Sequence, residues 1–428
     1  MVTFWVLLAV GLWLWWRNTP AGSVDGPPAA LTEAGRITGI LGGYVLLVQV
    51  FLMSRVGWLE RKIAAHDLLG WHRDLGGVLV VVVIAHVVLT TVGYAQMDGV
   101  PILRELWHLT TYEDMVSAFA STGVLVGVGL LAVRAVRAAL PYELWHILHL
   151  ASYAVLLLSY GHLFALGREV SGPGPGRQFW TAMYVVVLAC LAWGRLIAPW
   201  RLNARHRLRV AAVTPESADT YSVYVRGRRL DELQAKAGQF FRWRFLDRGL
   251  WTQAHPFSLS AAPNEEWLRL TVKAVGGHTR RLRGLRPGAP VLVTGPSGIF
   301  TAENRLRHRA LLIAGGSGIA PIRAILEDLP PSTVVLYRAS SATELIFRRE
   351  LDHLAAARGA EVCYVIGARD DPGPRSVMSP AGLRRLVPDV RRRDVYLCGP
   401  EGLVHAARSV LRRLHVPRRQ IHVDPFEF

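Results

Sequence analysis

Apolar positions fall into two regimes along this chain. Before residue 200 they form long runs separated by short polar loops: Val2–Trp16, Ile37–Met53, Leu68–Tyr94, Met115–Val133, Pro141–Leu166 and Phe179–Ala198. A helix needs about 20 mainly apolar residues to cross a bilayer, so the six runs predict a helical membrane bundle. The first run is short, and a signal peptide is the competing reading. No positive residue precedes it and it ends in bulky Trp, which favours a retained helix. After Arg209 the pattern changes to short alternating strands at Leu208–Val213, Tyr221–Val225, Gln239–Phe245, His255–Ser260, Trp267–Val275 and Val291–Thr294, with one helical piece at Thr279–Leu285. That predicts a small antiparallel barrel. From Arg309 strands at Ala310–Ala314, Thr333–Tyr337, Glu361–Ile366, Asp394–Leu397 and Gln420–Val423 alternate with helical stretches, the signature of a doubly wound α/β sheet. The domain boundaries expected are 1–205, 206–305 and 306–428.

Two of the apolar runs carry ionisable groups, which are costly in a bilayer and tend to mark function. His72 and His86 are 14 residues apart in the third run, just under four helical turns, so they share nearly one face. They lie roughly 21 Å apart along the axis. The fifth run repeats the arrangement with His149 and His162. Two helices, each with a His near either end, can bind two stacked haems through paired axial imidazoles. The 13-residue spacing of the second pair misses a common face by roughly 140° on an ideal helix; a local distortion at Ser159 and Gly161 is the expected remedy. His66, His108 and His146 fall at interfaces or loop edges and read as solvated or hydrogen-bonded. Arg36 and Arg73 are placed either to pair with haem propionates or to snorkel to headgroups.

The hydrophobic fraction of 51% is consistent with a membrane half, and the net charge of +17 needs a source. No basic cluster sits among nucleic-acid reading motifs, so no nucleic-acid partner is expected. Arginines on loops near anionic lipid and phosphate ligands suffice. Arg55, Arg61 and Lys62 follow the second run, Arg134 and Arg137 the fourth, and Arg201, Arg205, Arg207 and Arg209 the sixth, while the loop after the third holds Asp98, Glu105, Glu113 and Asp114. The positive-inside rule then puts both termini in the cytoplasm, with His72 and His149 toward the inner face of a bacterial-type cell membrane. Cys190, Cys363 and Cys398 are far apart, which excludes a four-cysteine iron–sulfur cluster or zinc ribbon within the chain.

The soluble half carries glycine-rich motifs in a fixed order: His255-Pro256-Phe257-Ser258, Gly276-Gly277-His278-Thr279, Gly295-Pro296-Ser297-Gly298, Gly315-Gly316-Ser317-Gly318-Ile319-Ala320-Pro321, and Cys398-Gly399-Pro400. Together with the paired His helices, the chain resembles a bacterial member of the ferric reductase/NADPH oxidase superfamily. The resemblance implies a six-helix transmembrane di-haem bundle, an antiparallel β-barrel FAD domain and a doubly wound α/β nucleotide-binding domain. It also implies FAD, NADPH (with NADH as the alternative) and two haem b as cofactors. The acceptor is then a small molecule, ferric chelate or oxygen, with no obligatory protein partner.

In such relatives Ser258 lies near the flavin N5, and His255 takes the place that soluble ferredoxin reductases give to Arg. Gly276 and Gly277 let backbone N–H groups approach the FAD pyrophosphate at a helix start, with the Thr279 hydroxyl beside them; the plain alternative is a glycine turn and cap. Gly315 to Pro321 follows a strand and opens a helix, as a nucleotide-phosphate loop does. Cys398 lies beside the nicotinamide in relatives, against the ordinary reading of a small buried residue. The terminal aromatic, Phe428, stacks on the flavin in relatives, against a fraying terminus. Catalytic roles are thus expected for Ser258, Cys398 and Phe428. In oxygen-reducing relatives a further His often lies one turn beyond the outer ligand; here it is Thr90, which favours ferric reduction or another acceptor over dedicated superoxide production, while Arg36 keeps an oxygen site open. The rival readings are a haem-free membrane-anchored flavin reductase and a non-catalytic haem sensor or transporter.

The strand after the phosphate loop ends at Tyr337-Arg338, followed by Ser340 and Ser341. An acid there favours a bare ribose, whereas Arg with hydroxyl neighbours favours a 2′-phosphate. Arg338→Asp is expected to raise the KM for NADPH by about tenfold or more, with far less effect on NADH, because only the phosphate loses a charge-assisted contact. Equal weakening of both nucleotides in steady-state assays would remove Arg338 as the selector.

Overall fold

The computed structural model describes residues 2–20, 22–170, 172–368 and 370–425. These divide into two compact units: residues 1–56 with 67–195, and residues 57–66 with 196–428. The first is helical. Among the described residues, five helical stretches, some of them interrupted, are long and apolar enough to cross a membrane: Pro27–Leu52, Ala65–Asp98, Met115–Ala132, Leu144–Leu166 and Pro175–His206, the last of which runs on into the second unit. The helix Val2–Asn18, of 17 residues, packs with them, its Phe4 carbonyl accepting a 2.7 Å hydrogen bond from Tyr44. Leu47, Tyr44, Leu79, Val155, Trp180 and Tyr184 form the centre of the core.

Glycines set the closest approach in this unit. Gly35, Gly39 and Gly42 lie on one face of the Pro27–Leu52 helix, at four- and three-residue spacing. A Cβ at Gly35 would stand 2.5 Å from the Thr90 side chain, and one at Gly39 2.9 Å from the His86 ring. Small residues at this spacing let two helices pack backbone to backbone. The Ala65–Asp98 helix therefore seats His86 directly on Gly39.

The fifth apolar run is not one helix. It breaks at Leu150–Ala151 into Tyr142–His149 and Ser152–Leu166. Across the break most backbone bonds run three residues back: Leu150 N–H is shared between His146 and Ile147, and Ala151 bonds to Leu148, Tyr153 to Leu150 and Ala154 to Ala151. A turn closed this way winds tighter than an α-helix, about 120° per residue instead of 100°. The extra rotation makes up part of the angle missing between His149 and His162. The distortion expected at Ser159 and Gly161 thus lies ten residues earlier, directly after His149. The last apolar helix is likewise interrupted by a π turn at Trp193–Ile197, where Arg195 donates two hydrogen bonds to the Met53 carbonyl, at 3.0 and 2.6 Å.

The second unit holds β1 (Arg209–Pro215), β2 (Thr220–Arg226), β3 (Phe240–Phe245), β4 (His255–Ser258), β5 (Leu268–Lys273) and β6 (Val291–Ser297). They form two antiparallel sheets, β1-β2-β5 and β4-β3-β6. Single bridges, Leu259 to Leu270 and Arg209 to Pro290, link the sheets at both edges, so the six strands follow one another around a ring. Phe241, Trp243, Phe245, Val223 and Leu270 fill the interior. Then β7 (Arg309–Gly315), β8 (Val334–Ala339), β9 (Glu361–Ile366), β10 (Arg393–Gly399) and β11 (Ile421–Pro425) make a parallel sheet of order β11-β10-β7-β8-β9. The order reverses between β7 and β10, and ligands of such sheets bind outside the strand C-termini at that switch point.

Residues 57–66 belong to this unit although membrane helices flank them in sequence. Glu60 is buried there, accepting a 2.5 Å hydrogen bond from Ser297 and facing Arg242 at 3.4 Å. The ring and the parallel sheet are joined by Arg269 of β5, whose guanidinium, 5% exposed, makes two bonds of 3.0 and 3.1 Å to the Glu350 carboxylate. Arg323 reaches the same carboxylate at 2.5 Å. Removing one partner of a buried pair leaves an uncompensated charge. Because Glu350 is a third exposed and Arg269 keeps its bonds to Ser260, Glu350→Ala is expected to cost about 2–3 kcal/mol. Thermal unfolding of the soluble half, followed by tryptophan fluorescence, measures the loss.

Candidate functional site

The four membrane histidines meet in two pairs. The His72 and His149 ring centroids are 6.0 Å apart, and those of His86 and His162 are 6.2 Å apart. A metal held between two imidazole nitrogens at about 2 Å each separates the centroids by roughly 6 Å. His86 Nδ1 lies 2.7 Å from the Gly35 carbonyl, which can only accept, so Nδ1 carries the proton and Nε2 keeps its lone pair. Nδ1 of His72, His149 and His162 is buried with no hydrogen-bond partner among the described residues. Buried imidazoles in two pairs at metal-bridging separation, three of the four with an unpartnered Nδ1 among the described residues, fit bis-imidazole haem sites. Trp145 stacks on His149 with centroids 5.1 Å apart, closing one side of the His72–His149 pair.

The arginines beside these pairs are engaged differently from each other. Arg36 pairs with Glu33 at 3.0 Å, sharing that carboxylate with Arg168. Arg73 is 82% exposed and ion-pairs with its neighbour Asp74 at 3.5 Å. Thr90 donates a 2.6 Å bond to the His86 carbonyl and packs on Gly35, so its hydroxyl is used within the helix.

In the second unit, motifs distant in sequence converge. His255 and His278 stack with centroids 4.1 Å apart, which joins the His255–Ser258 strand to the Gly276–Thr279 turn. The Thr279 hydroxyl closes that turn, accepting from Gly276 N at 2.9 Å. Desolvation, reinforced by His255, pulls His278 down to about 4, so this ring is neutral near pH 7. Pro256 and Phe257 lie opposite Arg242 and Phe241 of β3, and the Phe257 carbonyl is held by Trp243 at 3.0 Å.

The Gly315–Pro321 loop passes from β7 through a short turn into the helix Ile319–Leu326, with Pro321 in its first turn, where a missing N–H costs nothing. Gly316 has φ 54°, a left-handed backbone. A Cβ at Gly318 would stand 2.2 Å from the Cys398 carbonyl, and Gly399, at φ 153°, lies against Gly315. The phosphate-loop candidate and Cys398-Gly399-Pro400 thus form one surface at the switch point.

Ser258 and Cys398 meet at a residue the sequence reading passed over. Ser258 Oγ donates to Asp424 Oδ2 at 3.3 Å, and Cys398 Sγ lies 3.2 Å from the Asp424 carbonyl. Asp424 lines a cleft with Ala64, His66, Phe240, Gly298 and Phe300. Desolvation there pushes its carboxyl up to about 7 and holds the buried Cys398 thiol well above its usual range, so Cys398 is no thiolate. Asp424 sits in a strand of alternating polarity near the chain end, with no motif around it to mark it.

Arg338 and Ser340 lie at the C-terminal end of β8. The Arg338 guanidinium is turned onto backbone, to the Ala339 carbonyl and to that of Val365 at 3.2 Å. Glu344, six residues on, folds back to accept from Ser340 N at 3.1 Å. An acid therefore does stand at this strand end, a feature the sequence hid by its distance from Arg338. Phe428 lies outside the described residues.

Known proteins divide the chain in the same order. Residues 38–160 match the family described as ferric reductase like transmembrane component, 206–295 an FAD-binding domain and 312–409 an oxidoreductase NAD-binding domain. That succession is a ferric reductase-like transmembrane domain fused to a ferredoxin-reductase-type module. The chain's second unit thus carries an FAD-binding domain followed by an oxidoreductase NAD-binding domain. The chain is 29% identical to the ferredoxin reductase component of 3-ketosteroid-9-alpha-monooxygenase from Mycolicibacterium smegmatis, over 51% of this chain and 65% of that protein. It is 28% identical to an NADPH oxidoreductase of Mycobacterium tuberculosis, over 50% of this chain and 59% of that protein. The chain thus spans less than two thirds of the length of these two relatives. Among solved structures, the flavohem-like FAD/NAD binding domain of nitric oxide dioxygenase from Vibrio cholerae aligns with 51% of this chain and 98% of its own, at 25% identity and TM-score 0.44.

Two predictions follow from the geometry. His86→Ala and His162→Ala are each expected to remove about half of the bound haem while leaving flavin reduction by NADPH intact. Gly39→Ala is expected to lower haem content too, since its methyl enters the His86 ring at 2.9 Å; visible spectra of purified proteins, normalised to chain, read all three. Asp424 binds its proton more tightly in the native than in the unfolded state, so its contribution to stability falls as pH rises from about 4 to about 7. Asp424→Asn is expected to unfold at higher temperature than wild type at pH 8, with the difference shrinking toward pH 4. It is also expected to flatten any inflection near pH 7 in stopped-flow flavin reduction.

Proposed function

We propose that this protein is a multi-pass enzyme of a bacterial cell membrane that carries electrons from cytosolic NADPH, through FAD and two haem b, to an acceptor on the outer face. The observation that carries the reading is the pair of imidazole separations, 6.0 and 6.2 Å, in a bundle of apolar helices. His72 with His149 would hold the inner haem, and His86 with His162 the outer. His255, Ser258 and the Gly276–Thr279 turn would hold FAD; Gly315–Gly318, Arg338 and Cys398–Pro400 would hold the nicotinamide nucleotide. When bound, these groups supply hydride uptake and one-electron release at the flavin and one-electron relay between haems.

The chain's own residues do the rest. Ser258 donates to Asp424, whose carboxyl burial pushes up to about 7, so this pair would hold a proton beside the bound flavin. Cys398 fills the floor as a neutral thiol. The left-handed backbone at Gly316 and the close packing of Gly318 on Cys398 would let backbone N–H groups approach the nucleotide phosphates. Gly35 and Gly39 fix the depth and tautomer of His86.

Ferric chelate is the preferred acceptor over oxygen, because Thr90 stands where oxygen-reducing relatives often have a further His and Arg36 is committed to Glu33. The test is NADPH oxidation by proteoliposomes with FAD and haem loaded, comparing external ferric citrate with oxygen. Acceptor-dependent turnover with a low-spin spectrum of about two haems per chain supports the reading. Turnover without haem would make the membrane half an anchor, and haem without NADPH oxidation would make the protein a sensor or transporter.

A further inference from the structure

The loop after the Ala65–Asp98 helix carries a cluster that the electron path does not use. Gly99, at φ 65°, and Pro101 reverse the chain, and the helix Ile102–Leu109 folds back so that Glu105 and His108, three residues apart, face the end of the longer helix. Ligand atoms of Asp98, Glu105 and His108 then all lie within 4.8 Å of one another. Asp98 and His108 are exposed, but Glu105 is 2% exposed. A carboxylate taken out of water needs donors or an opposite charge. Glu105 Oε2 takes no hydrogen bond among the described residues, and the imidazole Nδ1 of His108 stands off at 3.5 Å. A buried, unsatisfied carboxylate aimed at a second carboxylate and an imidazole is the arrangement of a cation site.

We infer that Asp98, Glu105 and His108 form a transition-metal site whose ligand is the iron to be reduced. Two carboxylates with one imidazole suit iron, whereas magnesium and calcium take oxygen ligands alone. Three protein ligands leave coordination positions open for water or a chelator. Asp98 is twelve residues beyond His86 on the same helix, about 18 Å along its axis, on the side away from His72. This assignment of iron rests on the proposed reading, in which that side faces out and ferric ion is the acceptor. The balance is NADPH + 2 Fe³⁺ → NADP⁺ + H⁺ + 2 Fe²⁺: two electrons leave one nicotinamide and each ferric ion takes one.

The test uses the full-length, haem-loaded protein in detergent with Mn²⁺ as an EPR probe, then steady-state ferric citrate reduction in proteoliposomes. Wild type is expected to bind one Mn²⁺ per chain, with affinity falling tenfold or more in Glu105→Gln and in His108→Gln. Both variants are expected to keep the wild-type haem spectrum and to raise the KM for ferric citrate several-fold at unchanged rates of flavin reduction. His108 is exposed, so its substitution tests the site even where Glu105→Gln fails to fold. No bound Mn²⁺ in wild type, or equal binding in wild type and both variants, overturns the site. Mn²⁺ binding lost in both variants, in a protein that reduces no ferric citrate, upholds the metal site and sinks the acceptor reading instead.

Discussion

Four imidazoles inside a bundle of apolar helices are the constraint on which the membrane half depends. Each brings ring nitrogens into surroundings with few hydrogen-bond partners, and an unpaired buried polar group is costly. Only His86 finds a backbone carbonyl among the described residues, at Gly35. The other three leave Nδ1 without a protein partner. The bundle nevertheless holds the rings two by two at closely similar separations. Packing has therefore been set around the pairs. The glycine face at 35, 39 and 42 removes the side chains that would otherwise hold the His86 helix away, and the break at Leu150–Ala151 turns the second helix between its two histidines.

The soluble half solves a different problem, which is to bring five short motifs into register. The reversal of strand order between β7 and β10 does most of this. Parallel pairing of Cys398 with Ala314 places the end of β10 beside the loop that follows β7, and Gly318 fits there only because it lacks a Cβ. On the other side, β11 pairs with β10 and sets Asp424 level with Cys398, within reach of Ser258 from the antiparallel ring. The Arg269–Glu350–Arg323 cluster ties ring to sheet, so the geometry at Ser258 and Asp424 depends on an ion-pair cluster contributed by β5 and two helices of the α/β part. Residues 57–66 add a wall to the same cleft through Ala64 and His66, anchored by Glu60 on Ser297.

The sequence by itself determined most element types and singled out the membrane histidines and the glycine motifs. Long apolar runs, period-two strands and the alternation after Arg309 reflect burial requirements local to each segment, so they are legible without a structure. The histidines stood out because charge-capable groups in apolar runs are rare, and the glycine motifs because turns near phosphates need residues without a Cβ. Tertiary structure decided what depends on neighbours far along the chain. Asp424 has no local mark; burial pushes its carboxyl up, against the opposing hydrogen bond from Ser258. Glu344 becomes a strand-end acid only by folding back on Ser340. The unpaired carboxylate of Glu105 exists only because Gly99 and Pro101 turn a loop segment into a helix against Asp98. The 13-residue histidine spacing was visible, but its resolution lay in hydrogen bonds of the tightened turn after His149. Hydrophobic pattern fixes what each segment must bury, whereas desolvation and hydrogen bonding of single groups are set by whatever the fold brings within a few ångströms.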